Sequence, residues 1–192
     1  MRFVLVINNY NIHTLLLMKQ QALDKYFSSV WQSNVKQYQY TGLTLADRVN
    51  NNESVIDVGC GDNLFKPLIK NIVGVDPAND QADSMTAIED YQTDQRFDVA
   101  FCLGSINFGD HDHIEHQIKC VVALLKTPSR IYWRCNPGRH DHGNQECKKI
   151  DFYPWDLKKH NKFSQQFGYV ITEYKQDTNN RIFCEWSSKP NI

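Results

Sequence analysis

The chain has 192 residues, with 21 Lys or Arg against 22 Asp or Glu and a formal net charge of −1. Compact domains run to about 100–200 residues, so this is one domain's worth of chain, with room for a core that needs no disulfide or metal staple. The charge balance excludes the strongly basic composition of a non-specific nucleic-acid binder, 41% hydrophobic and 22% charged residues exclude disorder, and no apolar run approaches the ~20 residues of a membrane span.

The first apolar run, Phe3-Val4-Leu5-Val6-Ile7, is cut by Asn8-Asn9-Tyr10-Asn11. That is shorter than a secretory core of about 7–15 apolar residues. Residues 1–17 read as a short strand, a loose arm, or a product of starting the chain too early. Met18, Ala22, Leu23, Tyr26, Phe27, Val30 and Trp31 then fall at helical spacing. A face this broad must pack on something, either as core or as a lid over a site. Residues 1–40 are therefore read as an N-terminal arm and helix on or near a ligand site, and residues 41–192 as the main domain.

Thr44-Leu45-Ala46-Asp47 fits a capping box opening a short helix, which Asn50-Asn51-Asn52 ends. Ser54 to Val58 is a buried strand entering a tight turn at Gly59-Cys60-Gly61. Leu64, Phe65, Leu68 and Ile69 predict a short helix with Pro67 in its first turn. Ile72-Val73-Gly74-Val75 is a second buried strand, closed by Asp76-Pro77. A third, weaker strand falls within Ser84–Ile88, and a fourth is Phe97 to Leu103. Asp110 and Asp112 are caps for a helix that carries Ile114, Ile118, Val121, Val122 and Leu125 on one face and ends at Pro128-Ser129. Arg130 to Cys135 is a fifth strand. After a loop, Pro154 opens a helix that Gly168 ends. Tyr169–Tyr174 and Arg181–Trp186 close the chain as a hairpin. The count is seven strands in a mostly parallel α/β sheet, with helices on both faces and a C-terminal antiparallel hairpin. In such a sheet the ligand lies at the carboxyl ends of the strands.

The motif that carries chemistry is Asp57-Val58-Gly59-Cys60-Gly61-Asp62-Asn63, at the end of the first buried strand. Two glycines let the backbone approach a ligand and turn N–H groups toward it. Asp76 closes the next strand, where a carboxylate accepts two hydrogen bonds from a ribose diol. Facing the crevice and not the core, Asp76 is expected to matter for binding and little for folding.

Taken together, Val55 to Gly61, Val73-Gly74-Val75-Asp76 and Phe97 to Ser105 resemble the class I S-adenosylmethionine-dependent methyltransferases, over residues 40–190. More narrowly, the chain resembles small methyltransferases encoded by bacteriophages. The resemblance implies a Rossmann-like domain over 41–192 and S-adenosyl-L-methionine as cofactor. It implies methyl transfer by direct in-line displacement to an acceptor the sequence does not identify, whether small molecule, RNA or protein. Asp57 and the backbone of Gly59, Cys60 and Gly61 would frame the methionine portion, and Asp76 the ribose. Ile88 would pack on adenine, with Glu89 or Asp90 near its amino group, and Leu103 and Gly104 would line the methyl channel. The family's third turn glycine is Asn63 here, the next best residue for a left-handed backbone. A dinucleotide dehydrogenase would place glycine where Leu64 stands and has no use for Asp57.

His111, His113 and His140 are the candidate bases, needed only if the acceptor must lose a proton. No metal site is expected, because His111 and His113 cannot share a helix face. Arg134, Asn136, Arg139 and His140 form a polar rim suited to an anionic small molecule. Two other readings are an inactive cofactor-binding module and an RNA-binding protein using Lys148, Lys149, Lys158, Lys159 and Lys162. The six cysteines, Cys60, Cys102, Cys120, Cys135, Cys147 and Cys184, contain no C-x-x-C pair, which fits a reduced protein of the cytoplasm, the host's if phage-encoded.

Overall fold

The computed structural model describes residues 21, 23, 25–29, 38–138, 150 and 152–188. Its strands are β1 (Val55–Val58), β2 (Ile72–Val75), β3 (Phe97–Leu103), β4 (Leu125–Cys135), β5 (Tyr169–Asp177) and β6 (Arg181–Ser188). They form one sheet in the order β2-β1-β3-β4-β6-β5. The first four are parallel neighbours, and β6 lies antiparallel to both β4 and β5. The chain runs from β1 outward to β2, then returns to place β3 on the other side of β1. The strand order thus switches between β1 and β3, where an open α/β sheet leaves a crevice.

The described sheet has six strands, not seven. The expected strand within 84–88 is reduced to one parallel bridge, Ser84 to Val75. Asp83 caps the edge by accepting the Gly74 amide at 2.8 Å. Beyond Ser84, Met85 stands 67% exposed, so nothing buries a further strand there.

Two α-helices cover one face. α1 (His111–Ala123) buries Ile114, Ile118 and Val121, and α2 (Leu157–Gln166) buries Phe163. Their buried residues join one core cluster with Ile56, Val58, Trp133 and Trp186. The opposite face holds Val55, Val99, Phe101, Tyr132 and Phe183, covered by Leu45, Phe65 and Ile69. That face carries no described α-helix, contrary to the expectation of helices on both. Leu43–Arg48 is a 3-10 helix whose N-cap, Gly42, makes no side-chain cap bond, so the Thr44 capping box does not form. Residues 61–68 are turns, with only the Ile69 amide reaching back four residues, to Phe65. Pro67 has no N–H to continue a helix there.

Other boundaries move for local reasons. Asp110 does cap α1, accepting the His113 amide at 2.9 Å. The helix ends at Ala123, and Pro128 sits inside β4 among exposed residues. α2 starts at Leu157 and not at Pro154, because Asp156 accepts the Lys159 amide at 2.7 Å while Trp155 donates its own amide to Asn136.

Candidate functional site

β1 ends in a turn whose first position requires glycine. Gly59 and Gly61 have φ of 69° and 53°. A Cβ on Gly59 would stand 2.3 Å from Cβ of Ser105, so the turn passes hard against the end of β3. Asn63 takes the left-handed backbone that its position requires, with φ 53°. Its amide group donates to the Gln81 carbonyl at 3.1 Å, tying the turn to the segment after β2.

Asp76 is 9% exposed and is held by backbone amides on both oxygens. Oδ2 accepts from Gly61 at 3.0 Å, and Oδ1 from Ala78 at 2.8 Å and Asn79 at 3.0 Å. Asp57 pairs in register with Gly74, two residues before Asp76, so the two carboxyls lie on the same side of the sheet. Asp57 is 3% exposed, and no described donor bonds its carboxyl. Burial, reinforced by the neighbouring Asp76 carboxylate, pushes Asp57 up to about 7.

A cavity of about 250 Å³ opens over these strand ends. One half is lined by Gly59, Gly61, Asp76, Ala87, Glu89 and Gln117. Glu89 is fixed there, accepting from Gln117 Nε2 at 2.8 Å with His113 Nε2 at 3.4 Å. Leu103, Gly104 and Ser105 line the cavity where β3 ends. The other half is lined by Tyr26, Phe27, Tyr38, Phe108, Phe152, Arg134, Asn136 and Arg181, among others. Its aromatic wall is continuous: Phe27 meets Tyr26 and Phe108 edge-on at 5.0 and 5.4 Å, and Phe108 meets Phe152 at 5.1 Å. Asn107 sets the floor, donating to the Arg134 carbonyl and accepting the Asn136 amide. It extends the pairing of β3 with β4 by one side chain after β3 has ended.

Most of the residues expected around the ligand therefore gather here. Gly59, Gly61, Asp76, Glu89, Leu103, Gly104 and His113 line the cavity; Asp57, buried in β1, and Cys60 do not. Ile88 does not line it: at 6% exposure it packs into the core with Val75 and Ile114, and its neighbours Ala87 and Glu89 face the cavity instead. Asp90 is exposed in the turn whose amide bonds the Ala87 carbonyl. His111 points away from the cavity, bonded to Tyr153 Oη at 2.8 Å and to Lys162 Nζ at 2.9 Å and stacked on Phe163. Lys159 pairs with Asp156. Arg139, His140, Cys147, Lys148 and Lys149 lie outside the described residues, as does the arm of residues 1–20.

Sequence reasoning missed Gln117, Asn107, Tyr38, Phe108, Phe152 and Arg181. Gln117 had a signal, standing one helical turn after His113 on the same face. Asn107 and Phe108 stand within four residues of Gly104; the others come from segments far apart in the chain and had none. Among the described residues, no group of three His, Cys, Asp or Glu side chains is placed to hold a metal ion, and no helix is long and apolar enough to cross a membrane.

No family model matches the chain, and no curated protein matches it. Solved structures do. The 1,6-didemethyltoxoflavin-N1-methyltransferase of Burkholderia thailandensis, with bound 1,6-didemethyltoxoflavin and S-adenosylhomocysteine, is 11% identical at a TM-score of 0.68, over 92% of this chain and 89% of that one. The magnesium protoporphyrin IX methyltransferase of Synechocystis PCC 6803, with bound S-adenosylhomocysteine, is 14% identical at 0.66, over 89% and 100%. The N-methyltransferase NodS of Bradyrhizobium japonicum WM9, also with S-adenosylhomocysteine, is 12% identical at 0.63, over 88% and 98%. At these identities the likeness establishes the fold: a Rossmann-like α/β sheet of the kind these methyltransferases share.

Proposed function

We propose that this chain is an S-adenosylmethionine-dependent methyltransferase acting on an acceptor held in the aromatic half of the cavity. The observation that carries the reading is the two-part cavity at the switch point, with the glycine turn, Asp76 and Glu89 on one side of Gly104 and the aromatic wall on the other. The bound S-adenosylhomocysteine of the similar structures supports the same assignment.

The residues present fit the cofactor. Gly59 and Gly61 leave their turn free of side chains, and a Cβ on Gly104 would meet no atom within 4 Å, so the middle of the cavity is open. Asp76 holds the ribose hydroxyls with the acceptor capacity left after its backbone bonds. Asp57, with no described donor of its own, answers the methionine ammonium. Glu89 takes the adenine amino group, which makes Gln117 and His113 the groups that position it; Asp90 drops out. When bound, S-adenosylmethionine supplies a methyl group already activated by its sulfonium. The chain's task is then alignment, and holding reactants about 3–3.5 Å apart contributes several kcal/mol of rate.

Residues 1–40 act in this reading as a cap on the site, through Leu23, Tyr26, Phe27 and Tyr38, and residues 41–192 as the catalytic domain. The narrower likeness to bacteriophage methyltransferases rests on the sequence motifs, and a cytoplasmic setting on six cysteines without a C-x-x-C pair.

Calorimetric titration of the purified chain with S-adenosylhomocysteine tests the assignment. The expected result is one site per chain with a micromolar dissociation constant. A folded protein that takes up no S-adenosylhomocysteine at millimolar concentration overturns it.

A further inference from the structure

The acceptor half of the cavity carries a chemical bias of its own. Arg134 and Asn136 are two apart on and just beyond β4, so both side chains leave the sheet on one side. Arg134 is 7% exposed. Its guanidinium lies flat on Tyr38, 3.7 Å from the ring centre. Nη2 donates to the Thr178 carbonyl at 3.3 Å, and Nε lies 3.4 Å from Asp177 Oδ2. With its face covered, only the edge of the guanidinium remains to meet a ligand, and Nη1 has no partner among the described residues.

Asn136 is 1% exposed. Its Oδ1 accepts from Arg181 Nη1 at 3.3 Å and from the Gly138 amide at 3.4 Å. Those two donors fix the orientation of the side-chain amide, so the other end is the NH₂ group. That Nδ2 is buried with no hydrogen-bond partner, and it belongs to a residue lining the cavity. A buried donor is left unpaired at a cost unless a ligand satisfies it.

Among the described residues, the charged side chains at this end are Arg134, Arg181 and Asp177. Asp177 is already engaged by the amides of Gln39, Tyr40 and Thr178 and by the Thr41 hydroxyl. The cavity's own carboxylates, Asp76 and Glu89, stand in the other half. Among the described residues, this end of the cavity therefore presents the side-chain donors of Arg134 and Asn136 beside a wall of aromatic rings. A carboxylate has two oxygens, one for Arg134 Nη1 and one for Asn136 Nδ2, and a charged acceptor strengthens both bonds.

We infer that the acceptor half selects a small aromatic acid, with its ring against Phe27, Phe108 and Phe152 and its carboxylate on Arg134 Nη1 and Asn136 Nδ2. The inference rests on the methyltransferase reading, since it names that enzyme's acceptor class.

The test uses protein saturated with S-adenosylhomocysteine, titrated with benzoate, benzamide and cyclohexanecarboxylate and followed by ligand-observed NMR. Benzoate is expected to bind at least ~10-fold tighter than benzamide, which lacks the charge, and several-fold tighter than cyclohexanecarboxylate, which lacks the aromatic ring. Arg134→Gln should bring the benzoate-to-benzamide ratio close to one. Because Arg134 also holds Asp177, the half-buried Arg181→Gln serves as a second variant and should reduce the same ratio several-fold. A wild-type ratio near one, or no benzoate binding in protein that does bind S-adenosylhomocysteine, overturns the acceptor class and leaves the methyltransferase reading standing. Failure to bind S-adenosylhomocysteine overturns that reading first.

Discussion

Asp57 and Asp76 share one side of the sheet at the ends of adjacent parallel strands, yet their partners differ completely. Asp76 accepts three backbone amides, while Asp57 is buried without a described donor and is pushed up to about 7. A carboxyl poised there changes protonation with a modest change in surroundings. An ammonium group brought beside it favours the ionised form.

Cofactor binding should therefore release a proton from Asp57. Affinity for S-adenosylhomocysteine rises as pH increases through about 7, by up to ~10-fold per unit below it. Calorimetry at pH 6.5 in two buffers of different ionisation enthalpy counts the protons. Equal heats in the two buffers would exclude the linkage. Asp57→Asn should bind more weakly and lose the pH dependence.

The structure changes what to expect of Asp76→Ala. Loss of ribose contacts should weaken binding by about 30- to 1000-fold, from hydrogen bonds to a charged group worth about 1.5–3 kcal/mol each. The same carboxylate also secures the Gly61, Ala78 and Asn79 amides, so the variant should lose about 1–3 kcal/mol of stability as well. Asp98→Asn is the comparison. Asp98 lies near the amino end of β3, clamped to Ser54 and Lys126, and these partners hold its carboxyl below the usual range. It should lose stability with cofactor affinity intact. Denaturant melts alongside the titrations separate the two behaviours.

His160 makes a third expectation. It is fully buried, stacked on Trp155 with centroids 4.5 Å apart, and neither ring nitrogen has a described partner. Burial drives it down to about 3. A depressed pKa means that its neutral form fits the fold, so its contribution is present above pH ~6.5 and is lost as pH falls toward 3. Asp57 has the opposite sign. Its folded pKa is raised, so its contribution is present below pH ~4 and lost as pH rises through 7. Between pH 4.5 and 6.5 the two slopes oppose, each at most ~1.4 kcal/mol per unit. Urea midpoints should accordingly be nearly flat in wild type across that window. Relative to wild type, His160→Phe should gain stability as pH falls and Asp57→Asn should lose it. Parallel profiles for all three proteins would rule out both assignments.

The parallel strands, the glycine turn, Asp76 at the end of β2 and the left-handed Asn63 were all legible before folding, because each depends on residues close together in the chain. Local chemistry was enough: an apolar run long enough to be buried on both sides, then residues that tolerate positive φ. It erred where a side chain's direction depends on what lies across from it. Ile88 reads as a ligand contact, but the core formed by Val75 and Ile114 takes it, turning Ala87 and Glu89 to the cavity. His111 and His113 look alike in sequence; α1 sends the first to Tyr153 and Lys162 and the second to Glu89. In the acceptor half the polar rim of Arg134 and Asn136 was legible, but the aromatic wall was not, since it joins residues as distant as Tyr38 and Phe152. Periodicity records which residues an element buries. Only packing between elements decides that Tyr38 covers the face of Arg134 and that Asn136 keeps one donor unspent.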